Sequence, residues 1–274
     1  MLSTTGAVLG IDVGCSAVRR SSAVCRIDWN GHEATWRVER FCAVEPERIE
    51  TIVSVAGDGL LACAAFDGPL RCGFNGIGRY RTAERMLTRS LARKIGKPGA
   101  SSAPVGRLLN AHANACASAV LRHCNLAPAS HTVRIDQRAV VEAFPSSFLG
   151  VMIDEPSALA TRRHNRSDRF FLRWCERRTF DRLVDHLLPG RGLARTPTDL
   201  TDHDERAALV CALTALCVAA DDYTAVGDDD GWIILPPYAL LQPWAREDLE
   251  ANAAAAALRA PSAVATLFRP DDAR

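Results

Sequence analysis

Apolar positions in the first third of the chain alternate with polar ones in short runs, the period of strands that bury one face. Residues 7–13 predict a first strand, 22–29 a second and about 34–43 a third, with Asn30-Gly31 between the last two as a hairpin signal. Glu45-Pro46-Glu47 opens a short helix to about residue 55. Leu60 to Phe66 follows as a fourth strand, apolar enough to lie in the middle of a sheet.

The period then lengthens. Ala83, Leu87, Leu91 and Ile95 recur at fourfold spacing and predict a helix over 79–95, stopped by Gly96-Lys97-Pro98-Gly99. Residues 98–106 read as a loop, 107–124 as a second helix and 139–144 as a fifth strand. An arginine-rich helix is predicted over 167–188, with Phe170, Phe171, Trp174, Leu183 and Leu187 on its core side. The stretch 203–220 is mostly apolar, so its helix packs on the sheet. Asp228-Asp229-Asp230-Gly231 is a turn, 232–235 a short strand, and the alanine-rich 245–259 an exposed terminal helix.

These elements predict an α/β fold with a mixed five-stranded sheet flanked by helices. Strands one to three run antiparallel, and strands four and five run parallel to strand one, because helical crossovers join parallel neighbours. Residues 1–240 are expected to form one domain with a helical insertion at about 98–130, and 241–274 a C-terminal helical tail.

Composition narrows the class. At 274 residues and 48% hydrophobic content, the chain supports a large core and is not a disordered tail. A net charge of +1 leaves the distribution of charge to decide about polyanions. Ten cysteines are scattered without a CxxC pair, and the seven histidines form no HxxxH or HExxH, which argues against a zinc site. No basic segment precedes an apolar run at the amino end, and no apolar stretch reaches the roughly 18 residues that span a bilayer, so a cytoplasmic protein without membrane contact is expected.

Three acids close apolar runs: Asp12 in Val8-Leu9-Gly10-Ile11-Asp12-Val13-Gly14, Asp67 in Ala64-Ala65-Phe66-Asp67-Gly68-Pro69, and Glu142 in Val140-Val141-Glu142-Ala143-Phe144-Pro145. They point to the carboxyl edge of one sheet, where α/β folds place ligands. Burying carboxylates together is costly unless something positive sits among them, and a divalent cation is the simplest answer. Asp204 opens the 203–220 helix beside His203 and Asp202. Each acid also has an ordinary structural use: Asp12 and Asp67 in turns, Glu142 in an ion pair with an arginine such as Arg138, Asp204 as a helix cap.

Between 71 and 97 stand Arg71, Arg79, Arg81, Arg85, Arg89, Arg93, Lys94 and Lys97 against Glu84 alone, starting four residues after Asp67. A basic surface beside a carboxylate site suits nucleic acid, with Arg71, Arg79, Arg81, Arg85 and Arg89 as the contacts; the alternative is a solvated helix face.

Gly10-Ile11-Asp12-Val13-Gly14, Phe66-Asp67-Gly68-Pro69-Leu70, Val141-Glu142-Ala143-Phe144-Pro145, Asp204-Glu205-Arg206-Ala207-Ala208 and Gly231-Trp232-Ile233-Ile234-Leu235-Pro236-Pro237 occur in an order that resembles the family called domain of unknown function 429, described as predicted nucleases of ribonuclease H type. The resemblance spans about residues 7–238. It implies a ribonuclease H-like fold, catalytic acids at Asp12, Asp67, Glu142 and Asp204, and Mg2+ or Mn2+ held by Asp12, Asp67 and Asp204 for phosphodiester hydrolysis in nucleic acid. Where related resolvases carry Asp-x-x-Asp-Ala in the last helix, this chain has Ala207 at the second aspartate. A non-catalytic nucleic-acid-binding module is therefore the alternative. Gly10 to Ser16 also resembles the first phosphate loop of the actin and sugar-kinase superfamily, a third and weaker expectation of nucleotide binding.

Overall fold

The computed structural model describes residues 2–71, 80–96, 98–129, 137–159, 166–258 and 267–273. The opening strands are β1 (Gly6–Asp12), β2 (Ser22–Trp29) and β3 (Glu33–Phe41). They pair antiparallel in sequence order. The Asn30 side chain makes the turn into β3 by accepting from the backbone of His32 and Glu33 at 2.7 and 3.0 Å.

Helix α1 (Glu47–Ala56) leads to β4 (Cys63–Asp67), which returns parallel to β1. Short helices α2 (Thr82–Met86) and α3 (Ser90–Ile95) and the long α4 (Pro104–His123) precede β5 (Val140–Ala143), parallel to β4. Then come α5 (Pro145–Gly150), α6 (Pro156–Leu159), α7 (Arg166–Glu176), α8 (Thr179–Leu187), the two-residue β6 (Gly192–Leu193) and α9 (His203–Ala219). A hairpin of β7 (Thr224–Asp228) and β8 (Gly231–Leu235), α10 (Pro243–Ala257) and β9 (Leu267–Phe268) complete the described elements.

The sheet is mixed, in the order β6-β3-β2-β1-β4-β5-β8-β7-β9. The directions of strands one to five are those expected, but the described strands number nine rather than five. Two-residue edge strands carry too little pattern to announce themselves, and Gly227 interrupts the apolar run of β7.

Alternation along the strands divides the core. Val8, Cys63, Ala65, Val141 and Ala143 face α9 and the helices around it. Leu9, Ile11, Ala64, Phe66 and Val140 face α1 and α4. Helix α9 lies unusually close to β1: a Cβ on Gly10 would stand 1.9 Å from the Ala212 nitrogen and 2.4 Å from the Ala208 oxygen.

Three helix expectations change. The helix over 79–95 breaks into α2 and α3, where Arg89 adopts φ +57°, and the one over 167–188 breaks at Arg178, φ +54°. The aromatics of α7 and α8 form core: Trp174 donates from Nε1 to the Leu149 oxygen at 3.0 Å, and its ring lies 5.1 Å from that of Phe180. The terminal helix is not simply exposed, since α10 buries Ala245, Leu249 and Asn252, and the Asn252 amide donates to the Met86 oxygen at 2.8 Å. No helix among the described residues is long and apolar enough to cross a membrane.

Candidate carboxylate site

Parallel pairing sets Asp12 directly beside Asp67, each the last residue of its strand. Partners in register point to the same side, so both carboxyls stand on the α9 face at the carboxyl edge. Asp12 is buried, and its carboxyl is held well above the usual range, first by burial and then by the charges of Asp67, Asp204 and Asp202. Asp67 is pushed up to about 7 by burial, against the pull of His203 and a hydrogen bond with the Asp12 carboxyl. Near neutral pH the two acids thus share a proton, as like charges in contact must.

The start of α9 overlooks this pair. Asp202 is the N-cap, accepting from the backbone of Asp204 at 2.9 Å and of Glu205 at 3.4 Å. Asp204 does not cap the helix. Its carboxylate receives Arg40 Nη2 at 3.0 Å, while Arg40 Nη1 reaches Asp202 at 2.8 Å. Arg40 pairs in register with Ala23, and Ala23 with Asp12, so the guanidinium rises from the same face two strands away, over a side chain small enough to let it pass. His203 Nδ1 lies 3.2 Å from Asp168 of α7, and Arg206 Nη1 donates to the same oxygen at 3.0 Å. The hydrogen bond with Asp168 raises the His203 pKa, with Asp204 and Asp67 adding to it.

Glu142 does not join the pair. Its register partner is Phe66, one residue short of Asp67, and the pleat turns it to the α4 face. There Arg81 holds it through Nη1 at 3.0 Å and Nη2 at 2.8 Å, with the Leu70 backbone N–H at 2.9 Å. Glu84 takes Arg81 Nε at 3.0 Å and the Arg81 backbone N–H at 3.0 Å. Burial opposes the charge on Arg81, but Glu142 and Glu84 outweigh it and keep the guanidinium protonated. Arg138, the partner suggested for Glu142, instead donates to the Leu121 oxygen at 3.2 Å.

That arrangement corrects the place of Arg81 among the nucleic-acid contacts, because a guanidinium only 5% exposed, with both flanking carboxylates on it, has no reach to an outside phosphate. Arg71, Arg85 and Arg89 are exposed. Arg79 and Lys97 lie outside the described residues.

The sequence reading missed Arg40 and the Asp168–His203 contact. The signal for Arg40 was present in the strand register, which follows from the Asn30 hairpin; nothing local marks Asp168, which arrives from a separate helix.

Among the described residues no three His, Cys, Asp or Glu side chains gather closely enough to hold a metal ion. The set Asp12, Asp67 and Asp204 is therefore not assembled as one cluster, because Arg40 occupies Asp204. A buried carboxyl and a half-buried one that share a proton do fit one divalent ion, with water completing its shell as magnesium commonly allows. They do not fit two. Comparisons with protein-family models, with curated proteins and with solved structures find no match for this chain.

Proposed function

We propose that this chain is a ribonuclease H-like phosphodiesterase acting on nucleic acid, centred on Asp12 and Asp67 and dependent on Mg2+ or Mn2+. The observation that carries the reading is the side-by-side pair at the carboxyl ends of two adjacent central strands, Asp12 buried and Asp67 half-buried, with no arginine or lysine ion pair to either carboxyl among the described residues. The chain order of β1 to β5 and the resemblance to the domain of unknown function 429 family support the same fold. When bound, a divalent ion would supply Lewis-acid polarisation of the phosphate and an activated water. Asp12 and Asp67 would hold it, giving up their shared proton. His203 has Nδ1 turned to Asp168, which leaves Nε2 as the atom to donate a proton toward substrate. Exposed Arg71, Arg85 and Arg89 would attract the polyanion. The nine described cysteines are all free, which suits a reducing cytoplasmic setting.

A second reading, a non-catalytic nucleic-acid-binding module, is favoured by one observation: the ion pair of Arg40 with Asp204 neutralises the helix acid. Calorimetric titration with Mn2+, paired with cleavage of single- and double-stranded DNA and RNA, separates the two. One bound ion that disappears in Asp12→Asn, with metal-dependent cleavage, supports the enzyme. Binding of nucleic acid with no ion taken up supports the module and rejects the enzyme.

A further inference from the structure

Between the 152–159 segment and helices α7 and α8 lies a second cavity, of about 580 Å3, which shares no lining residue with the acid pair or with α9. Its volume falls in the middle of the range of small-ligand sites, roughly 300–1,000 Å3. The 152–159 segment supplies one side. Met152 and Ile153 are buried there and give the cavity an apolar floor. Asp154 and Glu155 beside them are exposed, and neither carboxylate has an ion pair or a hydrogen bond among the described residues.

The other side carries the opposite charge, through Arg173, Arg177 and Arg182. Arg173 and Arg177 stand one turn apart at the end of α7, where the Arg177 N–H donates to the Arg173 oxygen at 3.0 Å. The left-handed turn at Arg178 then redirects the chain, so that Arg182 of α8 reaches the same space. Little of this charge is used within the protein. Arg173 meets Glu176 at 3.2 Å and Arg182 Nη2 donates to Thr179 Oγ1 at 3.0 Å, whereas the exposed Arg177 side chain has no partner among the described residues. Thr179 lines the cavity as the first residue of α8, and no side chain caps that helix, so its amino end adds positive potential on the arginine side.

Two carboxylates and three guanidiniums thus line one space, and no ion pair among the described residues crosses it. An anion would gain the arginines but meet the acids, and a cation the reverse. An uncharged apolar molecule would strip water from both and repay neither. A molecule with an ammonium at one end and a carboxylate at the other satisfies both sides and leaves its middle to the apolar floor. We infer that this cavity binds a short zwitterionic peptide, its ammonium on Asp154 and Glu155, its carboxylate on Arg177 and Arg182, and an apolar side chain over Met152 and Ile153. The planar guanidinium offers a carboxylate two parallel N–H donors, which a point charge cannot. Binding of this kind needs neither the acid pair nor a metal.

Calorimetry of the whole protein in EDTA with alanyl-leucine, N-acetyl-alanyl-leucine and alanyl-leucinamide tests the assignment. Each blocked form loses one charged contact and should bind about tenfold more weakly than the free dipeptide. Arg177→Gln should weaken alanyl-leucine about as much and leave it no tighter than the amide. The pair Asp154→Asn, Glu155→Gln should do the same with respect to the acetylated form. All three positions are exposed, so both variants should melt as the wild type does; Arg177→Lys, which keeps the charge and loses the fork, serves if Arg177→Gln fails to fold. Absence of alanyl-leucine binding, equal binding of free and blocked forms, or undiminished binding by the folded variants overturns the site. Inorganic phosphate binding more tightly than the dipeptide, and lost in Arg177→Gln, would overturn it too and assign the arginines to a simple anion.

Discussion

Two sets of carboxylates with little exposure stand at one edge of this sheet, on opposite faces, and they are solved differently. On the α4 face Glu142 and Glu84 enclose Arg81, and each carboxylate also accepts backbone N–H groups. On the α9 face Asp12 and Asp67 have each other. A carboxylate with its cation inside the fold is finished as structure. One that must borrow a proton from its neighbour keeps an unmet demand for positive charge, and that demand is what a ligand can answer. Acidity is common to both sites, so the partner tells them apart.

The largest expected effect breaks the first site. Arg81→Met leaves two carboxylates buried without a cation and should destabilise the protein by about 3–5 kcal/mol, read from urea denaturation. A loss below about 1 kcal/mol would mean that water reaches Glu142 and Glu84, and the contrast between the sites would collapse.

The second site should respond to pH in the opposite sense to an ordinary ion pair. Asp67 titrates at about 7 in the folded chain and near 3.9 in an unfolded one. As pH rises, the unfolded chain releases its proton first. The folded chain therefore binds more protons between about pH 4 and 7, and metal-free stability declines through that window, with Asp12 extending the decline above it. A difference on the order of 2–4 kcal/mol between wild type and a pair-free Asp12→Asn, Asp67→Asn variant should open across this range. Parallel stability profiles in EDTA from pH 4 to 8 would show that no proton is shared.

Smaller again, Asp12→Asn alone should stabilise the metal-free protein at pH 7.5 by about 1–2 kcal/mol, by removing the cost of keeping the Asp12 carboxyl protonated beside Asp67. Adding Mn2+ at a hundredfold excess over Kd should stabilise the wild type by about 2.7 kcal/mol and leave the variant unmoved. The smallest effect is at Arg40. Its ion pairs with Asp202 and Asp204 are partly exposed, so Arg40→Gln should cost under about 1 kcal/mol of stability, yet tighten Mn2+ binding several-fold by releasing the Asp204 carboxylate. Unchanged affinity would show that Asp204 stays clear of the pair even when unbound.

Much of the sheet was legible because its cues are local. Gly-Ile-Asp-Val-Gly and Phe-Asp-Gly-Pro end apolar runs, the hairpin at Asn30 fixes the register of β2 and β3, and helical crossovers demand parallel neighbours. The face of Glu142 was not legible. Side chains on a strand alternate, so a one-residue difference in pairing between β4 and β5 decides whether three acids converge or two do, and the sequence does not state that pairing. The helix breaks at Arg89 and Arg178 were hidden for another reason: positive φ is usually announced by glycine or asparagine, and here arginine takes it. Helix α10 looked exposed because alanine marks no face, and its buried side comes from Ala245, Leu249 and the Asn252 contact.

Gly10 sits two residues before Asp12 and carries no chemistry, yet the contact it permits works as a gauge. A single methyl group at that position would collide with the backbone of α9 at Ala212 and Ala208, and the helix could escape only by moving outward as a body. Its first turn, with Asp202, His203 and Asp204, would travel with it. The separation between the acid pair and the helix acids is thus calibrated by an atom that is not there, at a residue that carries no acid of its own, so that the reach of the site can be altered without changing any of its functional groups.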